Sequence, residues 1–168
     1  MSPAPLITPA SSPAPRAGSP SRLPQAESTA AFGLRVSRQF AQCRRENGQL
    51  ALLWIEADAP LQTNAERSAA EHDALIQTVS LRLRNRVRGT DEVVYMGGTA
   101  FAVLLLAAGA AEARLVEQRL TQALRGTYCV ESRLIQLGVR VGTALFPQTG
   151  RNGGDLAEAA RQNLGLPV

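Results

Sequence analysis

An α+β fold organised on an antiparallel sheet is predicted by three observations. Residues 50–55 form a continuous apolar run bounded by polar residues, the pattern of a strand buried on both faces. Gly97 and Gly98 sit between the apolar runs 93–96 and 100–106. That arrangement marks a β-hairpin, because glycine alone adopts φ > 0 cheaply. Stretches of helical periodicity separate these strands from one another and from a last strand, so the two element types alternate along the chain.

Residues 1–28 hold seven of the ten prolines, interspersed with Ser and Ala. Such a segment buries too little apolar area to offset its ordering entropy, and it is expected to be a disordered tail. It would serve as a linker or as a docking peptide for a Pro-recognising partner. Residues 29–168 are then one folded domain. Phe32, Leu34, Val36, Phe40 and Cys43 make a helical stripe that stops near Asn47 and Gly48. After the first strand, Ile76, Val79, Leu83 and Val87 line one face of the longest helix, 66–87. The glycine hairpin follows, then a helix over 110–125 carrying Leu115, Val116 and Leu120. Residues 134–146 alternate and read as a strand closed by Pro147, and a short helix follows Gly154. The order is helix, β-α-β-β-α-β, helix. Its central unit is the ferredoxin-like arrangement, an antiparallel sheet with helices packed on one face.

Composition narrows the function classes. All 18 basic residues are Arg, and the net charge of +4 weakly favours anionic partners. Aromatics are scarce and do not interleave with basic residues, which argues against a nucleic-acid platform. Cys43, Cys129 and the single His72 cannot supply an N/S zinc set or a disulfide framework, so no metal or cofactor is expected. No apolar run approaches the ~20 residues that span a bilayer, and the N-terminus lacks the features of a signal peptide. A cytoplasmic protein without membrane insertion is the expectation.

Several motifs in one order resemble the GGDEF domain of diguanylate cyclases over most of residues 30–163. Gly33, Leu34, Arg38 and Phe40 are similar to that family's opening segment, with Val36 in place of its Asn. The family's D-I-D-x-F-K-x-I-N stretch corresponds to residues 56–64, from Glu56 to Asn64. Its guanine-contacting Asp falls on Asp73. The signature reads Gly97, Gly98, Thr99, Ala100, Phe101, and residues 138–142 resemble the last long strand. Arg88 and Asp91 match the family's inhibitory Arg-x-x-Asp, which binds cyclic di-GMP. A further Arg used at that site falls on Arg119.

The resemblance implies a lost catalytic half and a retained binding half. Condensing two GTP molecules needs a divalent metal held by carboxylates. By analogy the ligands would be Glu56, the residue at 99 and the Ala57 carbonyl. Thr99 is neutral, Ala100 removes the neighbouring acid, and Pro60 and Leu61 replace the family's Phe and phosphate-contacting Lys. Cyclase activity is therefore expected to be absent, with Glu56 vestigial. Asn64 and Asp73 are vestigial guanine contacts; read without the resemblance, one caps a helix and the other is a solvated helix position.

For the binding half, a guanidinium can fork onto guanine O6 and N7 while a carboxylate accepts from N1–H and N2–H₂. The chain is accordingly expected to be an inactive receptor for cyclic di-GMP through Arg88, Asp91 and Arg119. It would signal to a protein partner, for example exopolysaccharide or biofilm machinery, with homodimerisation on binding. The alternative is a nucleotide-independent interaction module that pairs with an active cyclase or a secretion component.

Overall fold

The computed structural model describes residues 23–58 and 68–165. In chain order the elements are α1 (Thr29–Arg35), α2 (Ser37–Arg45), β1 (Leu50–Asp58), α3 (Ala69–Arg84), β2 (Glu92–Gly97) and β3 (Ala100–Leu106). They continue with α4 (Ala110–Leu124), β4 (Gly126–Val130), β5 (Arg133–Phe146) and α5 (Gly153–Gln162). The strands form one sheet in the order β2-β3-β1-β5-β4, each neighbouring pair antiparallel. The fold is α+β, and β1-α3-β2-β3-α4-β5 is the expected β-α-β-β-α-β unit.

Strand β1 is central and buried on both faces, as its unbroken apolar run requires. Ala51, Leu53, Ile55 and Ala57 pack with Leu75, Val79 and Leu83 of α3 and with Leu120 and Leu124 of α4. Leu50, Leu52 and Trp54 join Phe32, Phe40 and Cys43 on the other side, together with Leu156, Ala157 and Ala160 of α5. Helices therefore cover both faces, with α3 and α4 of the central unit packed on one of them as expected. The flanking helices α1, α2 and α5 lie outside the core unit and close the face it leaves open. Each buried Leu or Phe contributes about 1.5–3 kcal/mol, so neither layer is dispensable.

Polar side chains start three of the helices. Ser28 Oγ accepts from the Ala31 amide at 3.0 Å, Ser68 Oγ from Glu71 at 3.1 Å, and Asn152 Oδ1 from Asp155 at 2.9 Å. Each satisfies an amide that the first helical turn leaves without a partner. Two features depart from the sequence pattern. The single N-terminal helix breaks at Val36 into α1 and α2. Strand β4 pairs with β5 across the two-residue turn Glu131–Ser132, both residues at positive φ (48° and 67°).

The N-terminal side contributes a short strap. Tyr95 N–H donates to the Pro24 carbonyl at 2.9 Å and Ala26 N–H donates to the Tyr95 carbonyl at 3.0 Å. Gln25 thereby bridges the outer edge of β2 in parallel sense. The folded unit thus takes in residues 24–26, which composition assigns to the tail.

Candidate functional site

The loop between α3 and β2 carries the Arg-x-x-Asp motif, and hydrogen bonds fix its shape. Asp91 N–H donates to the Arg88 carbonyl at 3.0 Å, and Arg88 N–H returns a bond to Asp91 Oδ2 at 3.0 Å. The Leu106 amide at the end of β3 donates to Asp91 Oδ1 at 3.1 Å. Both carboxylate oxygens therefore accept from backbone amides, and the Asp91 side chain is only 2% exposed. The expectation of a carboxylate presented to a ligand is modified: Asp91 ties the loop to β3.

Arg88 behaves oppositely. Its side chain is 61% exposed, with Nε 3.6 Å from Asp91 Oδ2 and Nη2 donating to the Leu106 carbonyl at 3.0 Å. Those contacts hold the guanidinium plane in place. A guanidinium has five N–H donors, so others stay available to an incoming acceptor. On α4, Arg119 Nη1 donates to the Arg86 carbonyl at 3.4 Å. The structure thus brings Arg88, Asp91 and Arg119 around one loop. Beside it lies a cavity of about 320 Å³ whose lining includes Leu23, Pro24, Arg84, Val87, Arg88 and Glu92. Arg84 is a second guanidinium at this cavity.

The glycine hairpin lies at the other end of the β2–β3 ribbon. Gly97 and Gly98 adopt φ of 94° and 56°, which accounts for the two glycines of the turn. Tyr95 O–H donates to the Gly98 carbonyl at 2.8 Å, and Ala57 N–H donates to the Thr99 carbonyl at 3.0 Å. Register then decides the chemistry of Glu56, which lies opposite Ala100 on β3 and Arg140 on β5. Arg140 Nη2 contacts Glu56 Oε2 at 2.5 Å, and Trp54 Nε1 lies 3.5 Å from Oε1. A divalent cation does not fit this donor set: Glu56 already faces a guanidinium, Ala100 offers no donor, and Thr99 carries no charge. Among the described residues no three His, Cys, Asp or Glu side chains cluster as metal ligands. Sequence reasoning placed Arg140 in a strand and missed this role, since a cross-strand partner depends on register between distant segments.

Asp73 of α3 borders a second cavity of about 210 Å³, with Gln25, Gln77, Ser80 and Tyr95. Burial, then the Asp73 carboxylate, pushes the Tyr95 hydroxyl pKa above its ordinary range. Asn64, Pro60 and Leu61 lie outside the described residues. Cys43 is buried and Cys129 exposed, both as free thiols. No helix among the described residues is long and apolar enough to cross a membrane.

Comparison with known proteins gives a consistent picture. The family model for the diguanylate cyclase GGDEF domain matches residues 25–165. The diguanylate cyclase TpbB of Pseudomonas aeruginosa is 29% identical over 119 residues, which are 70% of this chain and 27% of TpbB. The cyclic di-GMP phosphodiesterase NbdA of the same organism is 28% identical over 138 residues, 82% of this chain and 17% of NbdA. The chain thus spans about a quarter or less of the length of these relatives. The solved GGDEF domain of TpbB superposes with a TM-score of 0.74 at 25% identity, covering 85% of this chain and 83% of that one. The GGDEF domain of FimX, also from Pseudomonas aeruginosa, gives 0.70 at 16% identity over 81% of this chain and 85% of its own, a likeness of fold alone.

Proposed function

From the premise that this chain belongs to the GGDEF family, we propose that it is a catalytically silent receptor for cyclic di-GMP that signals to a protein partner. The observation that carries this reading is the exposed Arg88 guanidinium, held in plane by a buried Asp91 and accompanied by Arg119. In it, Arg88 forks onto the acceptor edge of a guanine, Arg119 adds charge toward the phosphates, and Asp91 positions Arg88. The Glu56–Arg140 ion pair, together with Thr99 and Ala100, supports the catalytically silent reading, since a hard cation needs free carboxylate oxygens. Control of exopolysaccharide or biofilm machinery, and dimerisation through a shared ligand, extend this proposal.

Isothermal titration with cyclic di-GMP tests it. Saturable binding by the wild type that is lost in the Arg88→Ala, Asp91→Ala double variant supports the receptor. No binding, or binding indifferent to those changes, overturns it. A second reading is favoured by the internal saturation of Asp91: the motif could be kept purely as a loop brace in a nucleotide-independent interaction module. Partner capture that ignores added cyclic di-GMP and the Arg88→Ala change would select that reading.

A further inference from the structure

The cavity at Arg88 has a wall that the N-terminal segment supplies. Leu23 and Pro24 line it together with Arg84, Val87 and Arg88, and Leu23 also borders the Asp73 cavity. The segment is joined to β2 through the Tyr95 N–H to Pro24 and Ala26 N–H to Tyr95 bonds, with Leu23 packed against the core. Pro24 has no N–H, so the ladder gains no donor from it. A bridge of this size opens locally at far lower cost than global unfolding. Whatever binds the docked form and touches this wall shifts the opening equilibrium by mass action.

We propose that residues 23–26 are a ligand-fastened strap: an anionic dinucleotide seated at Arg88, with Arg84 as a second cation in the cavity, closes the strap onto β2. The inference rests on the receptor reading and extends it. Occupancy of the cavity sets whether residues 23–26 lie on β2 or away from it, two states that a partner can distinguish. By reciprocity, a partner that pulls the strap away weakens ligand binding by the same factor.

The test is site-resolved hydrogen exchange on the full chain, with and without saturating cyclic di-GMP, alongside calorimetry. The Ala26 and Tyr95 amides, whose bonds form the bridge, are expected to exchange at least about tenfold more slowly with ligand. The Leu156 amide, bonded to Asn152 at the start of α5, is expected to be unaffected. Leu23→Ala is expected to weaken binding about fivefold, as a contact residue would. Calorimetric heat without protection at Ala26 and Tyr95 overturns the strap and leaves the receptor standing. Equal protection at Leu156 also overturns it, since the effect would then be global. No heat at all overturns the receptor reading, and the strap with it.

Discussion

Asp91 and Arg88 are three residues apart yet differ in what their loss removes. Arg88 is largely exposed, so Arg88→Ala is expected to leave stability within about 0.5 kcal/mol. It should cost about 1–3 kcal/mol of cyclic di-GMP affinity by calorimetry, the scale of a bidentate base contact. Asp91→Ala strands the Arg88 and Leu106 amides beside a 2% exposed site, and about 1–3 kcal/mol of folding stability should go with it in urea titration. Unchanged stability in that variant would refute the brace. Tyr128 gives a pH test at the same scale. It is buried, its O–H donates to the Leu124 carbonyl, and the Arg82 guanidinium sits 4.1 Å over its ring. Burial raises its pKa, with Arg82 acting in the opposite sense. An unfolded tyrosine ionises near 10.0 while the folded one stays protonated to higher pH, so its contribution is intact below 10.0 and lost as pH rises beyond. Tyr128→Phe should flatten that alkaline decline, leaving the part due to Tyr95, which shifts in the same direction.

Elements with strong local pattern were legible, and those defined by register or unusual turns were not. The β1 run, the glycine hairpin and the long α3 could be read because burial on two faces, positive φ and helical spacing each leave a residue-level mark. Strand β4 could not. Its turn asks for positive φ at Glu131 and Ser132, where the usual hairpin signature is Asn-Gly. The apolar stripe also overreached: Leu34 and Leu134 fit the pattern but are 78% and 74% exposed. Packing between elements leaves a sharper trace at Gly142 of β5. A Cβ there would lie 1.9 Å from the Ala160 carbonyl oxygen and 2.8 Å from the Leu164 amide. Both are backbone atoms, so α5 itself would have to move. Gly142→Ala is expected to lose more than about 3 kcal/mol by urea titration, and a loss under about 1 kcal/mol would refute the close packing.

At the scale of the molecule, the two ends of the β2–β3 ribbon have separate fates in this reading: one keeps guanine-reading groups, the other has lost its charge pattern. The motif residues of both ends were visible in the sequence, because spacing to the glycine turn located them. Arg140 and the Leu23–Pro24 wall were invisible, since strand pairing creates them. The wild type is expected to form no cyclic di-GMP from labelled GTP with Mg²⁺ or Mn²⁺. Thr99→Asp with Ala100→Glu is expected to stay silent while Arg140 remains; turnover by that double variant would sink the assignment of Arg140 as a block. The Glu56–Arg140 pair also has a historical consequence. Regaining the two acids alone would still leave Glu56 neutralised, and losing Arg140 alone would leave a half-buried carboxylate without its counter-ion. If the chain is catalytically silent as proposed, the pair acts as a ratchet: neither change alone restores the charge pattern that a divalent cation needs.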